Sequence, residues 1–263
     1  MTSNLLALVV GCLLAVHPSL ESFQERPSIA LDHVVLAVND LEATAARYRQ
    51  FGFALKPGQP HANGIRNQHV KFTNGTELEL LTAPKPADDL TTRYRQYLAD
   101  GDGPAYLALF PRPTAPPRSE APSYIFFGQR NQSPTDRPEH FAHRNTADNL
   151  IAVWLAGSDF KQERALLVKH GASGQTGRLD ALNETSEMLS VTEGVVYFLP
   201  ERLRVHRARP IIGVTFHVRV LQTAERVLNE AGVQFRTLPG SILLAPAVTG
   251  GLWIELTARR LPS

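Results

Sequence analysis

Hydrophobic and polar positions alternate with period two through residues 31–38, Leu-Asp-His-Val-Val-Leu-Ala-Val, the pattern of a half-buried strand. Asp32, Val34, Leu36 and Val38 share one predicted face; His33, Val35 and Ala37 share the other. The period then lengthens to about 3.6 residues. Leu41, Ala45, Tyr48 and Phe51 form an apolar stripe, with Asp40 placed to cap a helix and Gly52 to end it. Three more strands are predicted, around 53–56, around 69–73, and over 77–81 after the Asn74-Gly75 turn signal. On the last of these Leu78 and Leu80 face the helix, which leaves Glu77 and Glu79 on the side of His33. One βαβββ unit therefore presents a histidine and two carboxylates to the inside of a cupped sheet.

The pattern recurs along the chain. Residues 151–159 lay over 32–40, a helix follows over 160–170 with Gly171 at its end, and 194–200 closes the unit. A further copy runs from 212–218 through a helix over 221–231, ended by Gly232, to a strand over 250–256. Between the first unit and these two, 105–110 and 123–129 read as strands of a copy that has lost its helix to the Pro-rich segment 111–122. The fold class is α+β: repeated βαβββ modules, one of them degenerate.

The Leu31-Asp32-His33-Val34-Val35 start, the Asn39-Asp40-Leu41-Glu42 helix entry, the Phe51-Gly52-Phe53 exit and the Glu77-Leu78-Glu79-Leu80 strand resemble the vicinal-oxygen-chelate (VOC) superfamily, and within it the glyoxalase-like domain proteins. The resemblance implies paired modules forming cupped half-barrel sheets, the fold of glyoxalases, bleomycin-resistance proteins and extradiol dioxygenases, with a divalent metal ion (Zn, Ni, Fe, Mn or Mg) at the cup floor. It carries the roles of first-strand and last-strand ligand onto His33 and Glu79, and His69 is the candidate to complete the set. Overlaying the repeats puts Ala152 and Gly213 at the position of His33, and Tyr197 and Glu255 at that of Glu79; in the degenerate copy the counterparts are Pro104 and a residue near Gln129. The chain thus offers few ligands, and an octahedral site would draw the rest from water or substrate. On the opposing reading His33 hydrogen-bonds a neighbouring strand and Glu79 pairs with a basic side chain such as Arg66.

Two polar segments add binding candidates. Residues 61–69 join the second and third strands at the rim of the cup, where Arg66 and Asn67 are placed to hydrogen-bond a polar substrate. Residues 140–145 resemble the His-x-Asn segment that precedes the third module in glyoxalase-like proteins, which brings in His143, Arg144 and Asn145; the planar fork of Arg144 suits a carboxylate. Glu77 and Glu255 are the candidate catalytic bases. Trp154, Tyr197 and Trp253 fall on the predicted cup face, either as core between modules or as the lining of a binding cup.

Two functions follow. One is a glyoxalase-like VOC enzyme acting through a divalent metal on a small vicinally oxygenated molecule, by lyase- or isomerase-type proton transfer, with dioxygenase chemistry also consistent. The other is a non-catalytic binding protein of the bleomycin-resistance type that uses the same cup and needs no metal. A fold that has kept no ligand at all is the third reading.

Composition narrows the field without choosing. The chain of 263 residues is 43% hydrophobic and 20% charged with a net charge of +2, and it carries no aromatic-interleaved basic patch, so a small molecule rather than nucleic acid is the expected partner. Cys12 is the only cysteine and it falls in the N-terminal segment, so cysteine catalysis and a disulfide are excluded from the domain. Hydrolase-elbow, Walker and dinucleotide motifs are missing as well. The apolar run Leu5–Val16 suits a signal-peptide core, and Val9-Val10-Gly11-Cys12 resembles a lipoprotein cleavage box. The expected organisation is a leader over 1–27, a first module pair over 28–130, a connecting loop over 131–148 and a second pair over 149–263. Export to the periplasm or exterior is expected, with an N-terminal membrane or lipid anchor and a homodimer as open partners, and the cytoplasm as the alternative location.

Overall fold

The computed structural model describes residues 28–112 and 115–259. The leader expected over 1–27 lies outside the described residues. Among the described residues no helix is long and apolar enough to cross a membrane.

The first unit consists of β1 (Ile29–Ala37), α1 (Leu41–Gln50), β2 (Lys56–Pro57), β3 (Arg66–Lys71) and β4 (Glu77–Thr82). It is followed by α2 (Asp89–Ala99), β5 (Gly103–Pro111) and β6 (Ile125–Phe127). Together these strands make a six-stranded sheet in the order β2-β3-β4-β1-β5-β6. The second half comprises β7 (Ala147–Gly157), α3 (Lys161–Lys169), β8 (Ser173–Leu179), β9 (Glu184–Val191), β10 (Gly194–Pro200), β11 (Ile211–Val218), α4 (Leu221–Glu230), β12 (Arg236–Leu238), β13 (Ser241–Leu244), α5 (Pro246–Thr249) and β14 (Trp253–Thr257). Its eight-stranded sheet runs β12-β13-β14-β11-β7-β10-β9-β8. In each complete unit the first and last strands are parallel neighbours, β1 with β4, β7 with β10 and β11 with β14. The degenerate unit keeps this pair alone, as β5 parallel to β6.

Alternation builds the core. Val34, Leu36, Leu78 and Leu80 of the first sheet, and Val153, Leu155, Phe216 and Ile254 of the second, bury their side chains with Tyr48 and Leu228 of the helices and with Phe51 just beyond α1 in one continuous cluster. Each sheet keeps a separate apolar cluster on its other face. The halves are bound by more than apolar burial: the Tyr48 hydroxyl donates to the Thr249 carbonyl at 3.1 Å, the Leu150 amide donates to Thr76 Oγ1 at 3.1 Å, and a bridge joins Ala30 to Thr192. Phe53 and Phe72 both meet Phe216 at ring distances of 5.3 and 5.5 Å. Asp40 caps α1 by accepting the Ala43 amide at 3.0 Å, and Gly52, at φ +90°, turns the chain out of the helix. A Cβ there would also lie 2.8 Å from Val227.

Four expectations are corrected. The second strand shrinks to Lys56–Pro57, because the Ala54 amide is taken by His143 instead of a sheet partner. The third begins earlier, at Arg66, and ends at Lys71 where the Phe72 amide turns back to Thr76. Asp32 leaves the face of Val34, since the pairing of β1 with β5 carries a bulge between Leu31 and His33. The stretch 89–99, to which the sequence reading assigns no element, is α2. Asp88 and Thr91 form its capping box, and Thr91, Tyr94 and Leu98 are its buried side, packed on Val35, Ala37, Leu81 and Tyr106 across the His33 face of the first sheet.

The far end of α2 is capped from the other half of the molecule. Arg209, only 2% exposed, sits in the connection between β10 and β11 and donates to the carbonyls of Tyr97 and Gly101, the latter at 3.0 Å, with its guanidinium 5.4 Å above the Tyr97 ring. Arg209→Ala is therefore expected to raise amide exchange through α2 by about tenfold, the equivalent of roughly 1–1.5 kcal/mol of hydrogen bonding, while β7, β10 and β11 keep their protection. Unchanged exchange in α2 would mean that the helix is held by its apolar side alone.

Candidate functional site

The pleat of β4 sends Leu78 and Leu80 into the core and Glu77 and Glu79 to the opposite face. On the neighbouring strands His33 pairs with Glu77 and His69 stands directly opposite Glu79. Two imidazoles and two carboxylates thus share one face across three adjacent strands. His33 Nε2 lies 3.6 Å from Glu79 Oε2, and His69 Nδ1 lies 3.2 Å from Glu77 Oε1. Asn67 donates to Glu79 Oε1 at 2.6 Å, and Asn131 donates to both oxygens of Glu77 at 3.1 and 3.3 Å. At the β2 side Lys56 and Lys71 converge on Asp136, with Lys71 also donating to the Asn131 carbonyl. The loop over 130–136 is thereby tied to the sheet.

Burial disfavours a charged His33, yet its approach to Asp32 and the charges of Glu79 and Glu77 outweigh that and raise its pKa. Burial works against an ionised Glu77 too, and is overcome by the hydrogen bond and charge of His69, with help from Asn131, so its carboxyl falls below the usual range. Against His33 on the other side stands an aromatic wall. Phe126 meets the His33 ring edge-on at 5.4 Å, Tyr106 follows at 6.1 Å from Phe126, and Tyr94 and Tyr97 of α2 pack on Tyr106 at 5.4 and 5.8 Å. Burial pushes the Tyr94 and Tyr106 hydroxyls up, which keeps the wall uncharged.

Register identifies what these aromatics replace. In the second sheet Gly213 faces Trp154 and Thr215 faces Ala152 across the two first strands; in the first sheet His33 faces Ala108 and Val35 faces Tyr106. Tyr106 therefore occupies the position of His33 in the degenerate unit. Ala108 pairs with Phe126 as Val35 pairs with Glu79, so Phe126 occupies the position of Glu79. The expected counterparts, Pro104 and a residue near Gln129, are displaced by the bulges in β1 and β5.

The donor set bears on a divalent ion directly. Two ligands on one octahedral ion at about 2.1 Å stand about 3 Å apart, and the 3.6 Å between His33 Nε2 and Glu79 Oε2 is close to that. Both oxygens of Asp32, His33 Nδ1 and Asn67 Oδ1 are buried without a hydrogen-bond partner. His69 is turned to Glu77, and among the described residues no three His, Cys, Asp or Glu converge to hold a metal. The residues present fit an ion held by two protein ligands.

Other predicted residues lie elsewhere. Arg66 is exposed at the start of β3, so the partner of Glu79 is Asn67. His143 accepts the Ala54 amide on Nδ1 at 2.9 Å and donates from Nε2 to the Lys71 carbonyl at 2.9 Å, between the rings of Phe53 and Phe72. Burial lowers its pKa and keeps it neutral. Asn145, fully buried, donates to the Phe51 carbonyl at 2.9 Å and accepts the Ala147 amide at 3.0 Å. These two side chains staple the connecting loop to the first unit. Arg144 is exposed, 3.6 Å from Glu230 on α4. Glu255 belongs to the second sheet, because β11 pairs with β7 and not with the first unit; it accepts from Thr215 at 2.9 Å, which in turn accepts from Trp154 Nε1 at 3.0 Å. Burial raises the Glu255 pKa and pushes the Tyr197 hydroxyl up to about 12. Trp154 and Tyr197 are packed with Leu179, Met188 and Leu199, with Trp253 at the margin of the same cluster. Tyr94, Tyr97, Asn131 and Asp136 are not among the residues predicted from the sequence; the Asp88 cap and the Thr91, Tyr94, Leu98 spacing carry the signal for the first two.

Residues 31–114 match the model of a glyoxalase-like domain family. No curated protein matches the chain. Among solved structures the chain resembles a xylose isomerase-like TIM barrel/4-hydroxyphenylpyruvate dioxygenase fusion protein, with a TM-score of 0.60 and 11% identity over 90% of this chain, spanning about half of that one at 50%. It also resembles a triply substituted variant of 4-hydroxymandelate synthase from Streptomyces coelicolor, with a TM-score of 0.59 and 16% identity over 90% of this chain and 95% of that one. Residues 31–114 are thus similar to a glyoxalase-like domain, and the chain shares the VOC fold of these two structures.

The two histidines make opposite predictions for stability against pH. His33 has a folded pKa above 6.5, so its contribution is complete below pH 6.5 and fades as pH rises through the folded value. His143 has a folded pKa below 6.5, so its contribution is complete above that pH and fades as pH falls. In urea unfolding, His143→Gln is expected to cost roughly 1–3 kcal/mol at pH 8 and less at pH 5, whereas the deficit of His33→Gln is larger at pH 5 than at pH 9. Deficits that run parallel across this range would refute both assignments.

Proposed function

We propose that the protein is a glyoxalase-like enzyme that acts on a small vicinally oxygenated molecule by lyase- or isomerase-type proton transfer, with His33 and Glu79 holding a divalent ion. The observation that carries this reading is the placement of His33 Nε2 and Glu79 Oε2 at 3.6 Å on the face opposite the core, between a polar network and an aromatic wall. An ion bound there would supply Lewis-acid stabilisation of negative charge on two neighbouring substrate oxygens. The chain's own groups do the rest. Asn67 orients the Glu79 carboxylate, and Glu77, beside His33 on the same face, is the candidate to take a proton. Tyr94, Tyr106 and Phe126 exclude water from one side and offer faces on which a planar substrate can stack. The 4-hydroxyphenylpyruvate named in one structural neighbour combines an aromatic ring with vicinal oxygens, the type of molecule this combination of wall and floor suits. The apolar run Leu5–Val16 supports an exported setting.

One observation favours the binding-protein reading instead. Helix α2 packs across the same face with Tyr94 and Leu98, and an aromatic-rich cup covered in this way can sequester a ligand without turning it over. Divalent-ion titration of the full chain separates the two. The enzyme reading expects one ion per chain and a loss of affinity of at least about tenfold in both His33→Ala and Glu79→Ala, followed by turnover in a screen of α-oxoaldehydes, hydroxy acids and catechols. Ligand binding that is indifferent to metal and to both substitutions would replace it with the binding-protein reading.

A further inference from the structure

Asp32 and His33 are consecutive on β1, yet their side chains meet. The bulge between Leu31 and His33 leaves Leu31 in the core and swings Asp32 round, so that Oδ2 lies 3.4 Å from His33 Nδ1. Asp32 is 1% exposed, and neither of its oxygens accepts a hydrogen bond. A buried carboxylate left in this state is costly unless charged neighbours compensate it. Its other neighbour is Arg130, whose Nη1 lies 3.7 Å from Oδ1 and also lacks a hydrogen-bond partner. Arg130 is itself fixed: it pairs with Glu193 in the turn between β9 and β10 of the second half, and its guanidinium stacks 5.1 Å above Phe110. Residue 128 is glycine where a Cβ would fall 2.6 Å from Asp32 Oδ2. The carboxylate is therefore accommodated between one histidine nitrogen and one arginine anchored across the molecule.

The two ring nitrogens of His33 face different neighbours, Nδ1 towards Asp32 and Nε2 towards Glu79. Which of them carries the proton decides whether Nε2 has a lone pair to offer. We infer that Asp32 is a positioning residue: it holds the proton of neutral His33 on Nδ1 and leaves Nε2 bare towards Glu79, while Arg130, itself held by Glu193 of the second half, fixes Asp32. This rests on the reading of His33 Nε2 as a donor atom of the site, and it adds that a contact with the other half of the chain sets the state of that atom. A carboxylate on the outer nitrogen of a ligating histidine orients the ring and fixes its tautomer.

The test uses the full chain labelled with nitrogen-15 histidine, wild type and Asp32→Asn, at a pH above the His33 midpoint located by its own nitrogen-15 titration. His33→Gln assigns the resonance. The Nδ1–H tautomer is expected for His33 in the wild type, against the Nε2–H form that free imidazole side chains favour. In Asp32→Asn the Arg130 N–H claims the amide oxygen and turns the NH2 towards His33, so the proton is expected to move to Nε2, as when an orienting Asp becomes Asn in a catalytic triad. Cobalt(II) affinity at pH 7.5 should then fall roughly 10- to 100-fold. An unchanged tautomer in the variant overturns the inference. So does an Nε2–H tautomer in the wild type, a measurement that holds even if the variant fails to fold. A tautomer that inverts in a protein whose wild type binds no cobalt would uphold the role of Asp32 and remove the metal from the proposed function, so the two readings fail separately.

Discussion

The site depends on the burial of two sheets against each other. Leu36, Leu78 and Leu80 of the first sheet and Val153, Phe216 and Ile254 of the second are all withdrawn from water in one cluster. Because strand side chains alternate, every residue so buried commits its neighbours to the opposite face, and a slip of one residue would drive Glu77 and Glu79 into hydrocarbon. The apolar side of β4 therefore fixes the position of its acidic side more firmly than any interaction the glutamates make themselves. Hydrogen bonds across the halves, such as Tyr48 to Thr249 and Leu150 to Thr76, add direction to an attraction that has none.

The two cups carry different residues at equivalent positions of the repeat. In the second, Ala152, Gly213 and Tyr197 stand where donors would be, Trp154 fills the space that Gly213 leaves bare, and Glu255 is bound to Thr215. In the first, the complete unit keeps His33 and Glu79 while the degenerate unit supplies Tyr106 and Phe126. The degenerate unit thus presents an aromatic wall at the positions that His33 and Glu79 hold in the complete one. Helix α2 covers the face of this sheet opposite to the one on which α1 packs.

The halves are also coupled through charged side chains that reach across. Arg209 of the second half caps the helix that covers the first cup, Glu193 holds the arginine behind Asp32, and Tyr124 of the first half donates to Glu163 of α3 at 2.5 Å. Each such pair is buried or nearly so, where a missing partner costs more than the pair contributes. The first cup is therefore shaped by residues more than 60 positions away in the chain.

Much of this was legible in the sequence, because face assignment is local: alternation places His33, Glu77 and Glu79 together without knowledge of any neighbour, and the repeat of the pattern discloses the units. Tertiary structure decided the rest, since it turns on contacts between distant segments. Which units share a sheet removed Glu255 from the company of His33. A single bulge against β5 moved Asp32 from the core side to the imidazole. His143 and Asn145, polar residues in a loop, found backbone partners that only the folded first unit provides. Local alternation placed His33, Glu77 and Glu79 on one face; the pairing of distant strands decided that Asp32 joins them and what those side chains meet there, because no local period encodes a long-range pairing.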